Sequence, residues 1–259
     1  MATRLADAVR KRRAAEFAVA PVVSTRRVPI VTLEWVFDHV LPPGAAGPVG
    51  QAAISNLSER YEVVATSRQG AAGLNHITHP HQALTLDALD EHSWSHLLQS
   101  LSSAPQIVTH CVGDFHLKPL DAMTPERFDA VVSSNLLSAF RSYHHLAPLL
   151  RQHERSCLLY FGLAHGQAVQ AEPRVSAYYA AKQGLCSLVK SIAATEAKNG
   201  LSCSLIAPGF VEGSPQPATT NQAPVPRAQL CAAIGQLTGP LAPQLSGTLL
   251  DLSGGWRLR

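Results

Sequence analysis

The sequence has no apolar run approaching the roughly 18 residues that a bilayer crossing demands, so no membrane span is expected. Its five cysteines (Cys111, Cys157, Cys186, Cys203 and Cys231) are odd in number and include no CxxC pair. That argues against a disulfide framework and for buried thiols in a reducing, cytoplasmic setting. Charge is scarce: 15% of the 259 residues are charged and 46% are hydrophobic. Such a balance excludes wholesale disorder and supplies a full core. The net charge is only +3, and residues 1–27 carry seven basic side chains against two acidic ones. The remainder is slightly acidic, so no nucleic-acid partner is expected. Twelve histidines are present, with His76, His79 and His81 close together and His144 beside His145. They lack the Cys/His spacing of a zinc site, and Pro80 breaks any helix that would align the first group. The expectation is a polar loop and no metal.

Residues 1–35 read as a basic N-terminal extension. Leu5, Val9, Ala14 and Phe17 fall near helical spacing, which suits an amphipathic surface helix used for packing or oligomer contact. A polyanion- or membrane-touching arm is the alternative. The segment lacks the apolar core of a secretory signal. Its Arg-rich, Thr/Ala start resembles an organelle transit peptide, against which Asp7 and Glu16 count.

Residues 36–259 read as one domain in which strand and helix alternate. VPIVTLEWVFDHVLPPG is β-rich, QAAISNLSERYE helical, and EVVATSR and ALTLD are strands. LDEHSWSHLLQSL is a helix, PQIVTHCVG a strand, and residues 124–150 a helix opened by Thr124. SCLLYFG, LSCSLIAPG and SGTLLDLSGG are further strands, with a long helix from Ser176 closed by Gly200. Alternation of this kind requires crossovers and predicts an α/β fold, a doubly wound parallel sheet (Rossmann-like) with helices on both faces. The Pro-rich stretch 213–227 has no apolar period, and residues 210–227 are expected to form a lid.

Between the first strand and first helix lies Gly44-Ala45-Ala46-Gly47-Pro48-Val49-Gly50. A Gly-rich turn there presents backbone N–H groups to a pyrophosphate at the helix N-terminus. Gly44, Gly47, Val49 and Gly50 are the candidates; Pro48 removes one donor but suits a first helical turn. The second strand ends in Thr66-Ser67-Arg68 rather than in a carboxylate. Ser67 and Arg68 suit a 2′-phosphate, so NADP(H) is expected over NAD(H). Asp87, at the end of the third strand, is placed to accept from an adenine amino group or to cap the next helix.

In SAYYAAKQG, Tyr178 and Lys182 stand at i and i+4 on one helical face. An ammonium ~4 Å away, at an effective dielectric near 20, is worth up to ~4 kcal/mol to a phenolate. That lowers a phenol toward general acid–base work near neutrality. With the ordered motifs from about Gly44 to Trp256, the sequence resembles the short-chain dehydrogenase/reductase family. GAAGPVG stands where the family has TGxxxGxG, with Pro43 for the Thr and Pro48 for the middle Gly. His110-Cys111-Val112-Gly113 stands at NNAG and keeps only Gly113. The resemblance implies that Asn135 holds a water to the lysine, that Tyr178 and Lys182 are the catalytic pair, and that Lys182 also holds the nicotinamide ribose. It further implies that Pro208 and Gly209 border the nicotinamide.

The family's catalytic serine is absent. Gly162 or Leu163 occupies its place by strand alignment, while the family's spacing to the tyrosine lands on His165, an imidazole able to polarise a carbonyl. Loss of one such donor costs ~10²–10³ in rate if nothing replaces it. The expected function is NADPH-dependent reduction of a small carbonyl or an activated C=C such as an enoyl thioester. The alternative is a degenerate, non-catalytic binding or scaffold subunit. A homodimer or homotetramer through the helices at 125–150 and 176–199 is implied, or a hetero-oligomer with a homologue.

Overall fold

The computed structural model describes residues 29–34, 47–75, 77–78, 81–214 and 223–255. Gly44, the extension before Pro29, His76, His79 and residues 215–222 lie outside them, and with them all of the expected N-terminal helix, two of the three histidines of the first group and the middle of the expected lid.

Seven parallel strands form one sheet in the order β3-β2-β1-β4-β5-β6-β7. They are β1 (Pro29–Glu34), β2 (Glu62–Ser67), β3 (Gln82–Thr85), β4 (Ile107–Cys111), β5 (Ser156–Phe161), β6 (Leu201–Pro208) and β7 (Leu249–Leu252). The helices are α1 (Pro48–Ser58), α2 (Glu91–Ser100), α3 (Pro125–Val132), α4 (Ser138–Leu150), α5 (Ser176–Glu196) and α6 (Arg227–Thr238). The doubly wound expectation holds. One boundary does not: β1 is central, paired with β2 (Val31↔Val64) and β4 (Val31↔Val108). The domain therefore takes in residues 29–34, which the sequence reading gave to the extension.

Strand residues alternate between faces, and both faces are covered. Val64, Val108, Leu158 and Tyr160 pack with Trp94, Leu97, Leu146, Leu150, Leu185 and Val189 of α2, α4 and α5. Ala65, Ile107, Leu159 and Phe161 pack with Ile54, Leu57, Leu230, Ile234 and Leu237 of α1 and α6. Burying each of these larger side chains contributes roughly 1.5–3 kcal/mol. Helix α6 has no counterpart in the sequence reading, because Gly235 and scattered small residues blur its apolar stripe. The segment 124–150 is one continuous helical run, but Ser133–Leu137 is a π turn between α3 and α4. Among the described residues, no helix is long and apolar enough to cross a membrane.

All seven strands point the same way, so their carboxyl ends and the loops leaving them share one edge. The order reverses between β1 and β4, which opens a crevice at that edge.

Candidate active site

Helix α1 begins on this edge. Gly47 is its N-cap, makes no side-chain cap bond, and has nothing within 4 Å of where a Cβ would lie. Gln51 N–H already donates to the Gly47 carbonyl at 3.1 Å. With Pro48 lacking an N–H, the amides of Val49 and Gly50 are the first-turn donors that no helical carbonyl can reach. An open, uncapped helix start of this kind fits a pyrophosphate.

The end of β2 departs from expectation. Ser67 is fully buried and its hydroxyl donates inward to the Gly70 carbonyl at 2.8 Å. Contact with a 2′-phosphate would therefore fall to Arg68. Asp87 does not cap α2: its carboxylate accepts from Leu89 N–H at 2.9 Å, and Asp90 caps the helix through His92 and Ser93.

The β4 end is built around two residues that cannot be exchanged freely. Gly113 has φ +147, and a Cβ there would collide with Asn135 Oδ1. Asn135, fully buried in the π turn, donates from Nδ2 to Asp114 O at 2.8 Å and Val131 O at 2.9 Å. Its Oδ1 is buried without a partner. Local wide turns inside helices commonly mark functional positions; this one carries the asparagine singled out from the sequence. Beneath it, Ser138 Oγ donates to Ser134 O at 2.5 Å, so His110 Nε2, 3.1 Å from the same hydroxyl, is the protonated nitrogen. Burial, with the nearby Lys182 charge, lowers the His110 pKa to about 3 and keeps that ring neutral.

Tyr178 and Lys182 face each other across one turn of α5, with Nζ 5.4 Å from the phenol ring centroid. Lys182 is buried and donates to the Phe161 carbonyl, at the end of β5, at 2.9 Å. Phe115, from the loop after β4, meets Tyr178 edge-on with ring centroids 5.0 Å apart. That loop is tied to the approach to α5 by Lys118 N–H to Arg174 O and Leu120 N–H to Pro173 O, at 2.7 and 2.9 Å. One expectation is reversed. Burial raises the Tyr178 pKa well above its usual 10 instead of Lys182 lowering it, and it lowers Lys182 to about 8.

Pro208 ends β6, and Gly209 N–H donates to Leu252 O at 3.1 Å, which binds the β6 and β7 ends together. His165 does not extend from β5 as a serine would. Its ring leans toward β7, with Nδ1 3.5 Å from Asp251 Oδ2. Asp251 and Phe115 were missed from the sequence. Asp251 did leave a signal: it is the lone carboxylate in the apolar strand LLDL. Phe115 left none. Among the described residues, no group of three or more His, Cys, Asp or Glu could hold a metal.

Residues 44–234 match the family model described as enoyl-(acyl carrier protein) reductase. The chain is similar to the D-beta-hydroxybutyrate dehydrogenase of Cupriavidus necator, at 26% identity over 61% of this chain and 70% of that protein. It is similar to the 3-oxoacyl-[acyl-carrier-protein] reductase of Vibrio harveyi, at 25% identity over 83% of this chain and 95% of that one. A solved 4-hydroxyisoleucine dehydrogenase complexed with NADH superposes with a TM-score of 0.73 at 19% identity, over 87% of this chain and 98% of that one. The gox2181 crystal structure does so with a TM-score of 0.73 at 20%, over 89% and 95%. The two solved structures share the fold.

Proposed function

Because the chain belongs to the short-chain dehydrogenase/reductase family, whose members are NAD(P)H-dependent oxidoreductases, we propose that it uses NADPH to reduce a small carbonyl compound or an activated C=C. The observation that carries this reading is Tyr178 held beside Lys182 at the carboxyl edge. A bound reduced nicotinamide supplies the hydride. Val49 and Gly50 amides would hold its pyrophosphate, Arg68 the 2′-phosphate, and Lys182, Pro208 and Gly209 the nicotinamide half. Gly113 lets the β4 loop approach closely.

Tyr178 delivers its Oη proton to the product oxygen, or to an enolate. A phenol raised by burial still protonates an alkoxide, which is a far stronger base than a phenolate. The reverse oxidation needs a phenolate, which burial opposes. Lys182 Nζ would offset the phenolate charge, Asn135 would order the relay that restores the proton, and His165 would supply a donor in place of the serine. The relatives named for 3-oxoacyl and hydroxybutyrate chemistry support a small acyl substrate. The exposed Phe128, Leu137 and Phe140 along residues 125–150 support a homodimer through that helical run.

The test has two parts. NADPH at ~100 Kd should stabilise the protein by ~2.7 kcal/mol in thermal unfolding, and more than the same concentration of NADH does. NADPH oxidation should then appear with at least one member of a panel of ketones, quinones, pterins, 3-oxoacyl thioesters and enoyl thioesters. Tyr178→Phe should abolish turnover and leave the thermal shift. No shift with either nucleotide would leave only the non-catalytic binding subunit.

A further inference from the structure

Resting on the reductase reading, we infer that Asp251 is a positioning residue that holds His165 as the hydrogen-bond donor to the substrate oxygen. The strand that should lead into a hydroxyl is followed by Gly162 and Leu163 instead. Two residues on, His165 adopts φ +57, a left-handed backbone uncommon among non-glycine residues. Such a conformation persists only where the surroundings hold it, and here they do so at both peptide groups. His165 N–H donates to Asp251 Oδ2 at 3.1 Å, and the His165 carbonyl accepts from the Tyr179 hydroxyl at 3.1 Å. The same hydroxyl lies 2.5 Å from Ala168 O. The loop is thus tied to α5 one residue beyond Tyr178.

The ring is oriented as well. Its Nδ1 is 3.5 Å from Asp251 Oδ2, and its Nε2 is buried with no partner. Asp251 is itself held: Oδ1 accepts from Ser253 N–H at 3.0 Å and Ser253 Oγ–H at 2.5 Å. This fixes the carboxylate at the end of β7, beside the Gly209–Leu252 tie. The doubly protonated ring has a donor at each nitrogen, and its Nδ1–H is the one turned to the carboxylate. Nε2 is then the nitrogen left for a ligand, and a buried polar atom without a partner is a group whose partner the ligand can bring.

The balance is that of a two-electron reduction. A bound NAD(P)H would supply the hydride for the new C–H bond at the carbonyl carbon and leave as NAD(P)⁺. The C=O π pair moves onto oxygen, where His165 Nε2–H donates a hydrogen bond. The Tyr178 proton then makes the alcohol, and His165 keeps its own.

The experiment compares wild type, Asp251→Asn, His165→Asn and the double variant, with NADPH and the panel compound that wild type turns over fastest. Asparagine is used at 165 because it tolerates a left-handed backbone. At 251 it keeps an oxygen for Ser253 while removing the charge. His165→Asn should lower kcat about 100-fold and Asp251→Asn about tenfold, with the NADPH KM unchanged within about twofold. In the His165→Asn background, Asp251→Asn should lower kcat no further, because its effect runs through a ring no longer there. Equal losses in both backgrounds, or losses confined to KM and thermal midpoint, would make Asp251 merely structural and overturn the inference. An unaltered kcat in His165→Asn would also overturn it, yet leave the Tyr178 chemistry standing. Absence of turnover in wild type across the panel would remove both.

Discussion

Burial acts in opposite senses on the two central side chains: Tyr178 rises well above its usual 10 and Lys182 falls to about 8. The reductive reaction then keeps its acid across the neutral range and loses its cation as the pH climbs. We expect kcat/KM for reduction to decline above about pH 8; a profile flat to pH 10 would exclude a role for the Lys182 charge. A second group is purely structural. Glu196, fully buried on α5, accepts from Arg151 Nε at 3.0 Å, Tyr143 Oη at 2.6 Å and Asn199 Nδ2 at 2.9 Å. Hydrogen bonding to Arg151, opposed by desolvation, lowers its pKa to about 2 from a usual 4.5. A carboxyl depressed on folding stabilises at all pH values above the unfolded value, so this contribution should fade as pH falls from about 4.5 to about 2. Arg151 is 39% exposed, which tempers the value of the pair; Glu196→Gln should cost about 2 kcal/mol in urea unfolding at pH 7. Tyr178 and Lys182 were legible in the sequence because four residues of helix place them together. Asp251 and His165 were not legible as a pair, being 86 residues apart. Nor could spacing reveal that Ser67 turns its hydroxyl inward, since that depends on the short 3₁₀ turn that follows.

At the level of elements, the loop after β4 and the π turn form one fitted unit. Gly113→Ala must displace the Asn135 side chain, and we expect a loss of about 1–3 kcal/mol together with a fall in kcat. Preserved stability and rate would show that the two do not act together. The strands and most helices were readable because their apolar periods are clean and their ends carry strong signals, such as Thr124 accepting from Arg127 N–H. The π turn was hidden, since one extra residue per turn leaves no compositional mark. Asp90→Ala should destabilise α2 by ~1 kcal/mol, the usual cost of a lost N-cap, in thermal or urea unfolding. A matching loss in Asp87→Ala would contradict the observed capping.

On the scale of the molecule, Phe128 and Phe140 remain 39% and 46% exposed on a surface of 13878 Å². If they face a second copy, replacing both with Glu should convert a dimer to a monomer in light scattering without altering the far-ultraviolet spectrum. A monomeric wild type would remove that reading. The sheet order was foreseeable only in kind: alternation implies parallel strands, but not which strand lies at the centre. That detail matters for anyone shortening the gene. Strand β1, six residues in all, is the keystone between two halves that are made after it. A protein started at residue 36 would not lose an appendage; it would leave β2 and β4 with raw flanks, ready to capture strands from neighbouring molecules and precipitate.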